Sequence, residues 1–272
     1  MKRLHYVWLL LPYSAFAQPD ANRFLESVSG LMEYNRSAQT SLLTMTKRTQ
    51  ARLDTLPLNA TNHQKRAFAY TWARDYELAA MWLEEASVRY PKEHGVVGEI
   101  YLNQLRDYPR ALQHFNAYDA LTPNFDDIVS HNSVSYFRGL TYRALGDHTK
   151  AIEQFSKAID SLAIKHGPEW VNYRQYVSRA TSYLALQQPE KALIDLDKAQ
   201  ENFNQSALIQ YYRGKAFIQL GRISEAQTAL LDASFFYKAL RAERSGSPEE
   251  DRFNPITEAE IDELLTPLKR KP

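Results

Sequence analysis

The sequence predicts an all-α chain: a solenoid of helix–turn–helix repeats with capping helices at both ends. Three observations carry that prediction. A five-point pattern of small and aromatic residues returns five times between residues 60 and 238. Glycine and proline are scarce, at 9 and 12 in 272 residues, and they fall where helices should stop or start. The β-branched alternation of half-buried strands is hard to find anywhere.

Taken in chain order, the first segment is MKRLHYVWLLLPYSAFAQ. Lys2 and Arg3 precede an apolar run from Leu4 to Phe16, and Ala15-Phe16-Ala17 ends it. A basic start, a short apolar stretch and an A-x-A site are the marks of an export signal, expected over residues 1–17 and cut after Ala17. The run is too short to span a bilayer comfortably, so no integral span is expected once it is removed. The chain has no cysteine, which excludes disulfides, thiol catalysis, Cys-ligated zinc and a lipid-bearing cysteine. The expected location is the periplasm of a bacterium.

Residues 18–58 are helical in pattern without the repeating signature. Phe24, Leu25, Val28, Leu31 and Met32 form one apolar stripe, and Leu42, Leu43, Met45, Leu53 and Leu56 continue it less regularly. An N-terminal cap over the open end of the array is the first reading. The alternative is a structural subunit that self-associates into a homo-oligomer through these helices.

The array is expected over residues 59–240. Gly139, Tyr142, Ala151, Phe155 and Ala158 define the pattern. Gly214, Phe217, Ala226, Leu230 and Ala233 reproduce it, as do Ala180, Tyr183, Ala192, Leu196 and Ala199. Upstream lie Ala67, Tyr70, Ala79, Leu83 and Ala86, and a weaker copy that begins with Glu99 and continues through Leu102, Ala111, Phe115 and Tyr118. A glycine inside a helix costs about 1 kcal/mol relative to alanine, so Gly139 implies a close crossing of two helices. No such unit buries its apolar face alone, and stacking must supply the core. Gly146 and Gly221 follow first helices, Pro109 and Pro189 open second helices, and Asp75, Asp107 and Asp147 stand as N-caps. The alanines at 79, 111, 151, 192 and 226 are 32, 40, 41 and 34 residues apart, so extra residues are expected around 124–131 and 164–171.

On these residues the chain resembles the tetratricopeptide repeat family, whose unit is a helix–turn–helix of about 34 residues. The resemblance implies about five repeats wound into a right-handed superhelix. It also implies a concave surface, lined by the first helices, that grips a peptide or a segment of a partner. Carried over residue by residue, the partner-binding groove comprises Tyr136, Phe137 and Arg143, then Arg174, then Tyr211, Tyr212 and Lys215. Leu140, Val177, Ser178, Thr181 and Gln219 lie beside them. The Lys and Asn positions of a chaperone-binding carboxylate clamp are not supplied. An aromatic groove edged by Arg and Lys suits an extended or helical peptide with apolar and acidic features.

Residues 241–256 are polar and rich in Pro, Gly and Ser, and are expected to form a flexible linker. Thr257 to Glu260 is a capping box opening a C-terminal helix over 257–272, with Ile261, Leu264, Leu265 and Leu268 on its apolar face and a basic tail. A cap folded back on the last repeat is the favoured reading of that helix.

Chemistry is hard to place on this chain. None of the seven histidines forms H-E-x-x-H or another ligand spacing, and no phosphate-cradling or nucleophile-elbow motif is present. No catalytic residue, metal site or cofactor is expected. With Lys plus Arg at 33 and Asp plus Glu at 32, nucleic acid is not expected as a partner either. The expected function is a non-enzymatic adaptor or scaffold that binds a peptide segment or partner protein in a bacterial cell-envelope assembly.

Overall fold

A computed structural model describes residues 48, 51–52, 55–243 and 250–269. The expected export signal over 1–17 and nearly all of the expected N-terminal cap over 18–58 lie outside the described residues. The chain divides into two compact units, residues 1–82 and 83–272.

In the first unit, α1 (Ala60–Trp72) starts at Asn59, whose side-chain oxygen accepts from the Asn62 N–H at 2.9 Å. Arg66 on α1 is buried. Its guanidinium donates to the Leu56 carbonyl at 2.5 Å and lies 4.7 Å from the centre of the Trp82 ring. Helix α2 (Tyr76–Arg89) runs through the boundary between the units.

The second unit is a run of helical hairpins. Helix α3 (His94–Ile100) pairs with α4 (Tyr108–Asp119), and α5 (Val134–Ala144) with α6 (His148–His166). Helix α7 (Tyr173–Ala185) pairs with α8 (Pro189–Asn202), and α9 (Ala207–Gln219) with α10 (Ile223–Glu243). Each second helix also packs on the first helix of the next pair, and α11 (Glu258–Lys269) packs on α10. This is an all-α solenoid of helix–turn–helix repeats.

The punctuation works as its chemistry requires. Asp107 and Asp147 accept from the N–H groups of Arg110 and Lys150 at 3.2 and 3.0 Å, satisfying donors that an α-helix leaves open at its start. Gly146 and Gly221 take φ of +82° and +70°, a left-handed conformation that closes a first helix without a Cβ penalty. Thr257 and Glu260 cap each other reciprocally, the Glu260 N–H donating to Thr257 Oγ1 at 3.2 Å and Glu260 Oε2 accepting from the Thr257 N–H at 2.7 Å.

The repeating pattern is the core. Ala111, Ala151, Ala192 and Ala226 are wholly buried, as are Phe115, Phe155, Leu196 and Leu230. A Cβ at Gly139 would stand 2.5 Å from Phe155 Cδ1, so the glycine exists to let the ring in. Between repeats, Arg179 on α7 makes a two-pronged pair with Asp195 on α8 at 2.8 and 2.6 Å and reaches Ser156 on α6 at 2.9 Å.

One register needs correcting. Glu99 does not occupy the small position of its copy; Gly98 does, with a would-be Cβ 2.8 Å from Phe115. Tyr101, three residues on, then falls on the aromatic position and is wholly buried. The extra residue before Ala111 is absorbed by a π-helical turn over Tyr101–Leu105, which widens one turn by a residue. The long intervals also have local causes. Residues 128–133 form a hairpin, β1 (Ile128–Val129) against β2 (Asn132–Ser133), and α6 runs for 19 residues before a 3₁₀ turn at Pro168–Trp170.

Candidate functional site

Helices α5, α7 and α9, the first helices of three successive repeats, share one face with the expected groove residues. The structure puts Tyr136, Phe137 and Arg143 on α5, Arg174 on α7, and Tyr211, Tyr212 and Lys215 on α9. That face is covered. Of the stretch expected to be a flexible linker over 241–256, residues 241–243 instead finish α10, and residues 250–256 lie against this face.

The covering segment is held at several points. At the start of α9 the Glu250 carboxylate accepts from Ser206 Oγ and from the Leu208 N–H, the latter at 3.3 Å. Exposed N–H groups at a helix N-terminus make this a natural seat for a carboxylate. Ser206 also caps that helix, accepting from the Ile209 N–H at 3.0 Å. Arg174 Nη2 donates to the Glu250 carbonyl at 2.6 Å. Asp251 serves the segment itself, accepting from the Phe253 N–H at 3.0 Å and from Asn254 Nδ2 at 2.6 Å. The Asn254 N–H donates to the Asp251 carbonyl at 3.2 Å, which closes a turn.

Phe253 sits in the middle. Its ring meets Tyr136 and Phe137 edge-on, with centroids 6.0 and 6.2 Å away. Asn254 follows, only 3% exposed, with Arg143 Nη1 donating to its Oδ1 at 2.6 Å and its Nδ2 donating to Ser178 Oγ at 3.0 Å. Arg143 Nη2 donates to the Phe253 carbonyl at 2.7 Å. At the far side Arg252 pairs with Glu99 on α3 at 3.0 Å.

The aromatics divide between core and face. Phe137 is wholly buried, stacked on Phe115 of α4 at 5.4 Å, and meets the segment only through Phe253. Leu140 and Val177, expected beside the groove, are core residues. Tyr136 is 2% exposed with its hydroxyl 3.0 Å from Ser178 Oγ, and burial pushes its phenol upward. Tyr211 packs with Ile261 and Leu265 of α11 in one apolar cluster. Burial pushes Tyr212 up to about 12 against the opposing charge of Arg143, with Glu260 and Asp251 adding to the rise. Lys215 lies 5.5 and 5.7 Å from the rings of Tyr211 and Tyr212.

Glu250, Phe253 and Asn254 were not expected at this face. Their one sequence signal is an aromatic residue alone in a polar stretch, followed by Asn-Pro. Among the described residues no group of three or more His, Asp or Glu could hold a metal ion, and no helix is long and apolar enough to cross a membrane.

The described residues define a helical-repeat protein of stacked helix–turn–helix units. Tetratricopeptide repeat profiles match residues 133–161 and 177–248. A tetratricopeptide repeat protein from Parabacteroides merdae superposes over 86% of this chain and 80% of its own, with a TM-score of 0.53 at 18% identity. MamA protein superposes over 69% of this chain and 96% of its own, with a TM-score of 0.53 at 14% identity. No curated protein matches the chain in sequence. Over the matched stretches the chain carries tetratricopeptide repeats, and its fold is theirs.

Proposed function

We propose that this chain is a non-enzymatic adaptor or scaffold that binds a peptide segment of a partner protein through the face of α5, α7 and α9. Arrays of this kind use their extended faces for binding. The observation that carries the reading is the seated segment. The face already holds seven residues of polypeptide, by two arginines, a helix N-terminus and an aromatic pocket. The proposed workplace is a cell-envelope assembly, reached by export after cleavage behind Ala17. The basic-apolar-A-x-A start of the sequence supports that step.

A photo-crosslinking residue at the half-buried Lys215, irradiated in intact cells, tests the reading. One dominant envelope protein is expected, and it should be absent when the probe sits at the exposed Lys198 of α8. Self-adducts alone would overturn the adaptor and leave a self-associating structural subunit. N-terminal sequencing of the same material checks export: a chain that still begins at Met1 would defeat it.

A further inference from the structure

We propose that residues 250–254 are a built-in stand-in for the partner's recognition segment. The partner then presents a short turn with a carboxylate, an aromatic ring three residues later and an asparagine directly after it, and it must displace the chain's own segment to bind. This inference rests on the adaptor reading above and names the chemistry of its ligand.

Each contact of the segment with the repeats states a requirement. The N-terminus of α9 takes a carboxylate through Ser206 and the Leu208 N–H. Arg174 grips a main-chain carbonyl, which any peptide supplies. The ring pocket of Tyr136 and Phe137 takes an aromatic edge-on, the arrangement that ring quadrupoles favour. Arg143 donates to the oxygen of one amide and Ser178 accepts from its nitrogen, which singles out Asn over Asp at that position. With the segment lifted away, Arg143 Nη2, Arg174 Nη2 and the Leu208 N–H would lose the acceptors they hold. Arg143 Nη1, Ser178 and Ser206 would keep Thr181, the Tyr136 hydroxyl and the Ile209 N–H. A replacing peptide must therefore chiefly supply acceptors for the first three.

The chain's own segment fills the face only in part. An open cavity of about 420 Å³ lies beside it, bounded by Asn172, Gln175 and the turn of the β1–β2 hairpin. Gln175 is 4% exposed, yet its Oε1 has no hydrogen-bond partner among the described residues, and the same holds for Arg174 Nε. The cavity leaves room beside residues 250–254 for a longer partner segment.

The test is competition. A labelled peptide of residues 247–256, SPEEDRFNPI, is titrated by fluorescence anisotropy against the full chain and against the full chain carrying F253A and N254A. Apparent affinity falls with the fraction of open faces, so the variant should bind at least tenfold more tightly than the unaltered protein. Peptides carrying F253A or N254D should lose at least tenfold on the variant. Circular dichroism and melting check that the variant is folded, and E250Q alone, a milder loosening, should shift affinity in the same direction. Equal affinity for all forms, or indifference to the peptide's Phe and Asn, would overturn the proposal. So would a dimer by light scattering in which one copy's segment fills another's face. If the peptide fails while the Lys215 crosslink still captures an envelope protein, the adaptor stands and only the stand-in falls. If the peptide competes as expected while the crosslink finds only self-adducts, the adaptor reading falls instead.

Discussion

Single positions in this protein are governed by how much room a neighbouring helix leaves. Replacing Gly139 by alanine gains roughly 1 kcal/mol of helix propensity, but overpacking a closed core costs roughly 1–3 kcal/mol. The Phe155 ring cannot retreat: it is wholly buried and held 5.6 Å from the Tyr136 ring. Gly139→Ala is therefore expected to lower the melting temperature. Gly146 gives the contrast, since a Cβ there would meet nothing within 4 Å and only its φ of +82° matters. Gly146→Asn should be nearly neutral because Asn tolerates the left-handed region, whereas Gly139→Asn should be the worst of the three. Equal effects of Asn at both positions, measured by thermal melting, would contradict this account. The two glycines show what was legible. The return of a small residue marked Gly139 as a crossing point, and its place after a helix marked Gly146 as a stop.

Pairs of helices carry a second kind of information, which the sequence pattern hides. His94 on α3 and His114 on α4 approach with Nδ1 atoms 2.8 Å apart. Neither is distinguished from the other histidines by spacing, because the two residues are 20 apart in sequence and meet only when α3 and α4 pack together. Tyr101 stacks on His114 at 5.3 Å and donates to Glu84 at 2.7 Å, while His114 Nε2 lies 3.3 Å from the same carboxylate and Arg110 stands over the Tyr101 ring. Burial lowers the pKa of both histidines. His114 lowers that of His94 further, and the Glu84 charge opposes the shift at each. The folded chain therefore binds fewer protons here than the unfolded chain, whose histidines titrate near 6.5. Stability from this pair is fully present above about pH 6.5 and declines as the pH falls below it. The melting temperature should drop between pH 7.5 and pH 5, and His94→Gln should flatten that drop. An unchanged pH profile in the variant would remove the pair from the account. The π-helical turn is a similar case, since one extra residue inside a helix leaves no composition signal and shifted the reading from Gly98 to Glu99.

For the second unit as a whole, stability runs from repeat to repeat, so its end matters more than its middle. Helix α11 covers that end with Ile261 wholly buried and Leu265 and Leu268 nearly so. Burying side chains of this size contributes roughly 1.5–3 kcal/mol each. A chain ending at Glu243 loses them and also uncovers Tyr136 and Tyr212. Hydrogen exchange should then show α9 and α10 losing protection while α5 and α6 keep most of theirs. Uniform loss along the array would mean that the unit melts as one block.

Most of the repeat and its helix stops could be read in the sequence, because each is a local matter. The expected groove residues could be placed on first helices but not sorted between core and face. Side chains three, four and nine positions apart record how two neighbouring helices touch, and caps record how each one ends. That the face is covered could not be read there. Seating residues 250–256 across α5, α7 and α9 depends on hydrogen bonds from Arg143 and Arg174 to positions 110 and 76 residues away. A segment rich in polar residues looks like a linker until the folded repeats bring those donors together.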